Sequence, residues 1–181
     1  MPRIAPIQLD KTDSTTAATL QAVRAKLGVL PNMFTTIAHA PAALNGYLQL
    51  AEALGAGRLD ARQRELVAIA VAQENSCEYC LSAHAALGKG AGLQPHEIQQ
   101  ARQGQAEKGA DAALLELALT VVRHQGGISD DHLAAARNAG LDEGQIVEVV
   151  AHVALNVLTN YLNRVAGTVV DFPRVELSAA A

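Results

Sequence analysis

Apolar positions recur at helical spacing along almost the whole of this 181-residue chain, and no stretch alternates as a half-buried strand would. Asp13 or Ser14 can cap a helix running to about Lys26, with Leu20, Val23 and Leu27 as its stripe and Gly28 as its stop. Pro31 or Asn32 opens a short helix, Met33 to Ala40. Pro41 starts another, whose apolar face holds Leu44, Tyr47, Leu48, Ala51 and Leu54 and which closes at Gly55 to Gly57. Asp60 caps the next, to about Glu74. A helix starting near Ser76 follows, with Asn75 as its cap and Gly88, Gly90 and Gly92 as its end.

Beyond it, Gln94 to Glu97 begins a short polar helix, Ala110 to His124 forms a strongly apolar one, and Ser129 or Asp130 caps Asp131 to Asn138. Asp142 caps a helix through about Val157, and a last helix spans Asn160 to Val169. Residues 1–12 are expected to form an arm on the surface or toward a neighbouring subunit, and 172–181 a partly disordered tail. The length suits one domain, 1–181, and the fold class is all-α.

A weak internal repeat runs through this pattern. Sliding the chain by 82 residues lays Leu59-Asp60 on Leu141-Asp142, Gln63 on Gln145, Val67 on Val149 and Val71 on Val153. Two similar helix hairpins are therefore expected. The polar set of the first is absent from the second: Glu65 falls on Val147, Cys77 on Thr159, Cys80 on Leu162 and His84 on Ala166. Those four residues are not needed to make a hairpin, which argues for chemistry.

Composition narrows the class. Half the residues are hydrophobic but only 3% are aromatic, so alanine-rich helix packing is the natural core. A net charge of −4 with scattered basic residues leaves no footprint for nucleic acid or an anionic membrane. The longest apolar run, Leu66 to Ala72, is too short to span a bilayer. The expectation is a soluble, cytoplasmic protein. Two cysteines spaced C-x-x-C without a signal peptide point to redox or metal use rather than a disulfide scaffold.

Both cysteines lie in Asn75-Ser76-Cys77-Glu78-Tyr79-Cys80-Leu81-Ser82-Ala83-His84. On a helix, Cys77, Cys80 and His84 fall at i, i+3 and i+7 and share a face. Thiols near a helix start form thiolates more readily than free cysteine, and an imidazole one turn below can take or stabilise the proton. Glu65 lies among Ala61, Ala68, Ile69 and Ala72, and antiparallel packing sets it near the level of Cys80 and His84. The helix dipole alone favours Cys77 as the more acidic thiol, whereas proximity to His84 and Glu65 favours Cys80. Tyr79 reads as a packing or pocket residue.

The pattern Glu65, eleven residues, Cys77-x-x-Cys80, three residues, His84 resembles the alkylhydroperoxidase AhpD family within the carboxymuconolactone decarboxylase superfamily. Residues 40–125 look like that family's core, and the flanks resemble its longer peroxidase-related members. The resemblance implies an AhpD-like helical bundle, trimer-based homo-oligomers (trimer or hexamer) and reduction of hydrogen peroxide or organic hydroperoxides without a bound cofactor. It further implies that Cys80 is peroxidatic, that Cys77 resolves the sulfenic acid as a disulfide, that Glu65 and His84 relay protons, and that a thiol or dithiol reductant reopens the bridge. The chain departs from the pattern at Tyr79, where a histidine can stand.

Two rival readings use the same residues. Cys77, Cys80, His84 and Glu65 could supply four ligands to zinc in a non-catalytic metal-binding or scaffold protein. Alternatively, a lactone-type enzyme would use Glu65 and His84 for proton transfer, with the cysteines incidental.

Overall fold

A computed structural model describes residues 1–107 and 109–178, and all regular structure among them is helical. After a 3-10 turn at Leu9–Lys11 come α1 (Ser14–Leu27), α2 (Asn32–Ile37), α3 (Pro41–Gly55), α4 (Ala61–Glu74) and α5 (Glu78–Gly90). Then follow α6 (Pro95–Arg102), α7 (Gly109–Arg123), α8 (Asp130–Asn138) and α9 (Glu143–Ala166).

The bundle is built around α4. Seven consecutive residues, Leu66 to Ala72, are buried, because α5, α6, α7 and α9 all pack on this helix. A helix apolar on all sides is stable only when surrounded. Leu66, Ile69, Ala70 and Ala72 join one core with Leu44, Cys77, Cys80, Leu81 and Leu115, while Val67 and Val71 join a second with Leu114, Val149 and Val153.

Three features differ from the pattern in the sequence. The two expected C-terminal helices are one 24-residue helix, α9, since neither Gly nor Pro interrupts 158–160 and the Thr159 hydroxyl donates to Asn156 O within it. The repeat therefore holds at the caps and at the buried pairs Val67 with Val149 and Val71 with Val153. Asp60 with Gln63 and Asp142 with Gln145 form the same capping box, each carboxylate accepting the third amide at 2.8 Å. Beyond the boxes α4 turns back, whereas α9 runs on.

The termini are also tied down on this chain. Arg3 and Ile4 amides donate to Ala166 O, and Ile7 N donates to Thr35 O. At the other end Phe172 packs edge-on against Tyr79, Val175 N donates to Ser82 Oγ at 3.0 Å, and Arg174 pairs with Glu78. Of the expected disordered tail, 172–178 thus lies along α5, and 179–181 lie outside the described residues.

Candidate functional site

The α4–α5 connection creates the site. Ser76 adopts φ +53°, and the Cys77 and Ser76 amides donate back to Ala72 O and Gln73 O. That pairing is a Schellman motif, which reverses the chain within three residues by satisfying the last carbonyls of α4. Asn75 is therefore the C-cap of α4 and not the N-cap of α5. Its side chain donates across to Asn160 Oδ1 at 3.0 Å. The cap of α5 is Cys77 itself, whose sulfur accepts the Cys80 amide at 3.3 Å. Glu78 is not a capping-box residue; it faces Arg174.

Cys77 and Cys80 are both free and both buried. Their environments push them in opposite directions. Burial raises the Cys80 thiol, but the hydrogen bond from Cys77, the nearby His84 charge and the Asn163 amide outweigh it and bring the pKa down from 9.0 to about 7. Asn163 Nδ2 lies 3.3 Å from Cys80 Sγ. Asn160 adds to the effect, although its Nδ2 makes no hydrogen bond of good geometry. Cys77 is pushed up, first by the proton it shares with the Cys80 sulfur, then by burial and the Cys80 charge. The first-turn amide does lower Cys77, as the dipole argument requires, but the shared proton, burial and the Cys80 charge outweigh it.

Glu65 and His84 meet across α4 and α5, with His84 Nδ1 2.9 Å from Glu65 Oε2. Burial pulls the imidazole pKa down, but the Glu65 charge and hydrogen bond, helped by Cys80, carry it above its ordinary value. Both side chains keep about a fifth of their surface, at 23% and 19%. Gly88 packs beside them, where a Cβ would lie 2.9 Å from Leu93 Cδ1 and in ordinary contact, 3.7 Å, with Glu65 Cβ.

Tyr79 lies in the wall of an apolar pocket of about 350 Å³ with Met33, Phe34 and His84. Its hydroxyl accepts the Met33 amide at 3.1 Å, so its oxygen is engaged in holding α2. Tyr47 reaches the same wall from α3. Burial raises its phenol to about 12, and the charges of Cys80 and Glu65 add to that rise. No group of three or more His, Cys, Asp or Glu among the described residues is placed to hold a metal ion, so the four-ligand set conceived from the sequence is not assembled.

Asn160, Asn163 and Tyr47 are the site residues that pattern reading left without a role. A signal for the asparagines existed: Asn156, Asn160 and Asn163 form a row of uncharged polar side chains at helical spacing, all buried. The opposite face of α9 exposes Val147, Val150, Leu158, Tyr161 and Val165.

An all-helical bundle with a buried dithiol at a helix start, flanked by a Glu–His pair, defines the class. Residues 41–117, which hold α3 to most of α7 and every site residue except the α9 asparagines, match the model of the Carboxymuconolactone decarboxylase family. Over these residues the chain is similar to that family, and its fold is AhpD-like. Similar solved structures include a peroxidase-related protein with an alkylhydroperoxidase AhpD core from Ralstonia eutropha JMP134. That chain shows 23% identity and a TM-score of 0.85, over 94% of this chain and 92% of the other. A peroxidase-related protein from Silicibacter sp. TM1040 has 20% identity and a TM-score of 0.78, over 92% and 91%. The debrominase Bmp8, as a cysteine-to-alanine variant in complex with 2,3,4-tribromopyrrole, has 16% identity and a TM-score of 0.78, over 93% and 91%. No curated protein matches the chain in sequence.

Proposed function

We propose that this protein is a thiol-dependent peroxidase that reduces hydrogen peroxide or organic hydroperoxides through Cys80 and Cys77. The observation that carries the reading is the opposed displacement of the two thiols, Cys80 down to about 7 and Cys77 up. The lowered pKa favours the Cys80 thiolate, the form that attacks. Its sulfur bonds to the distal peroxide oxygen, the O–O bond breaks, and the departing alkoxide or hydroxide takes a proton from His84, which Glu65 orients and recharges. Cys77 then condenses with the Cys80 sulfenic acid, forming the disulfide and releasing water. A thiol or dithiol reductant returns two electrons.

The match of residues 41–117 to this family's model supports a peroxidase-related or lactone-type function. The two separate experimentally. One equivalent of hydroperoxide should remove both thiols of the wild type. Cys80→Ser should block the first oxidation, and Cys77→Ser should leave a sulfenic acid that dimedone traps. Thiols untouched by peroxide sink the proposal, and trapping on Cys77 reverses the assignment of roles. Turnover of a lactone acid by the double cysteine variant would favour proton transfer by Glu65 and His84 alone.

A further inference from the structure

The apolar pocket has a polar neighbour that the steps above do not use. A second pocket, of about 180 Å³, shares Tyr47, His84 and Leu87 with the first and continues over Arg64, His152, Asn156 and Thr159. Two of its polar groups, on Arg64 and His152, are incompletely matched. The Arg64 guanidinium donates to Leu59 O at 2.6 Å and has no carboxylate at ion-pair distance among the described residues. His152 is 4% exposed, and its Nε2 has no hydrogen-bond partner in the fold. A buried imidazole nitrogen without a partner is rare in native proteins and marks a place for a missing acceptor or donor. The one acid in the wall, Glu65, is already bound to His84 through Oε2.

A guanidinium and an imidazole side by side suit a carboxylate, which accepts two N–H bonds from the first and one from the second. A cation would meet Arg64. The adjoining pocket offers Met33, Phe34 and Phe172, with Leu27 and Val29 exposed at its rim, and apart from its two tyrosines only His84 among its lining is ionisable. Such a wall suits a hydrocarbon body. We infer that the two pockets form one site for an amphiphilic monocarboxylic acid, its carboxylate on Arg64 and His152 and its apolar chain against Met33, Phe34 and Phe172.

Resting on the peroxidase reading, the substrate is then a hydroperoxide of such an acid, its O–O group carried over the ridge of Tyr47 and His84. His84, which stands in that ridge, lies one helical turn after Cys80 on α5, so the attacking sulfur is a turn away from it. The product is the corresponding hydroxy acid, one oxygen passing to Cys80 as the sulfenic acid. Water leaves when Cys77 closes the disulfide, and the thiol reductant restores both sulfurs.

Decanoate and its methyl ester, titrated by calorimetry into the reduced full-length protein, test the site without any chemistry. The acid should bind more tightly than the ester. Arg64→Gln should reduce that preference about tenfold, the effect of one lost charge-assisted contact. Arg64→Lys should retain most of it, and equal melting temperatures for the two variants would exclude a folding defect. Equal binding of acid and ester by the wild type, or a preference that survives Arg64→Gln, overturns the inference. Acid binding that depends on Arg64, in a protein whose thiols no hydroperoxide consumes, supports the site and overturns the peroxidase reading instead.

Discussion

The lowered pKa of Cys80 comes first from its near neighbours Cys77 and His84 and then from asparagines distant in sequence. Asn163, 83 residues away, places an amide on its sulfur, and a hydrogen bond to a charged group is worth about 1.5–3 kcal/mol. Asn163→Ala should therefore raise the Cys80 midpoint by roughly a unit or more and slow peroxide oxidation near neutral pH about tenfold. The sign follows from the thiolate being the nucleophile: the rate rises as pH climbs through about 7 in the wild type and levels off above it. In the variant the rise comes at higher pH and reaches a similar plateau. Alkylation rates with iodoacetamide across a pH range of about 5–10, in a Cys77→Ser background, measure both curves, and superimposable profiles would remove Asn163 from the account. Tyr79, where a related chain can carry histidine, is held by Met33 N and Phe172. That leaves the Glu65–His84 pair as the route for protons on the proposed mechanism.

The decisive element is the hairpin of α4 and α5. Its turn was expected to spend Asn75 on starting the second helix; the fold spends it on ending the first, and the left-handed Ser76 lets Cys77 serve as the cap. Gly88 was expected to close α5 but lies within it, facing Ile69 and Glu65 of α4. Gly88→Val should overpack this contact, costing about 1–3 kcal/mol. Because the added methyls press toward Glu65 and Leu93, the same change should loosen the Glu65–His84 pair. Urea denaturation reads the first effect, and a lowered His84 midpoint in an NMR titration reads the second. An unchanged denaturation midpoint would show that the helices can separate at little cost.

At the scale of the whole molecule, the C-terminal segment works as a strap over the dithiol. Phe172, Val175 and Leu177 pack on the core that contains both cysteines, and Ser82 and Glu78 of α5 hold the strap's backbone and Arg174. A chain ending at Val170 should lose about 2–4 kcal/mol of stability, from three partly buried apolar side chains, and should admit alkylating reagents to both thiols several times faster. Thermal unfolding and timed thiol modification measure these, and equal modification rates would mean that the strap does not govern access. No helix among the described residues is long and apolar enough to cross a membrane.

The sequence alone determined what depends on neighbours along the chain. Helix periodicity, the Asp60 and Asp142 capping boxes and the helical class follow from residues three or four positions apart, and Glu65 and His84 could be set at one level because a short turn leaves antiparallel packing as the only way back. The rest depended on contacts far apart in the chain. Whether 158–160 would break or continue, which asparagines would lower the Cys80 pKa further, and which faces of α9 and the terminal strap would close over the cysteines depend on packing that no local spacing encodes. A thiol's acidity is set by the dipoles and charges within a few ångströms of it, and for Cys80 those come from Cys77, from His84 of α5 and from the α9 asparagines.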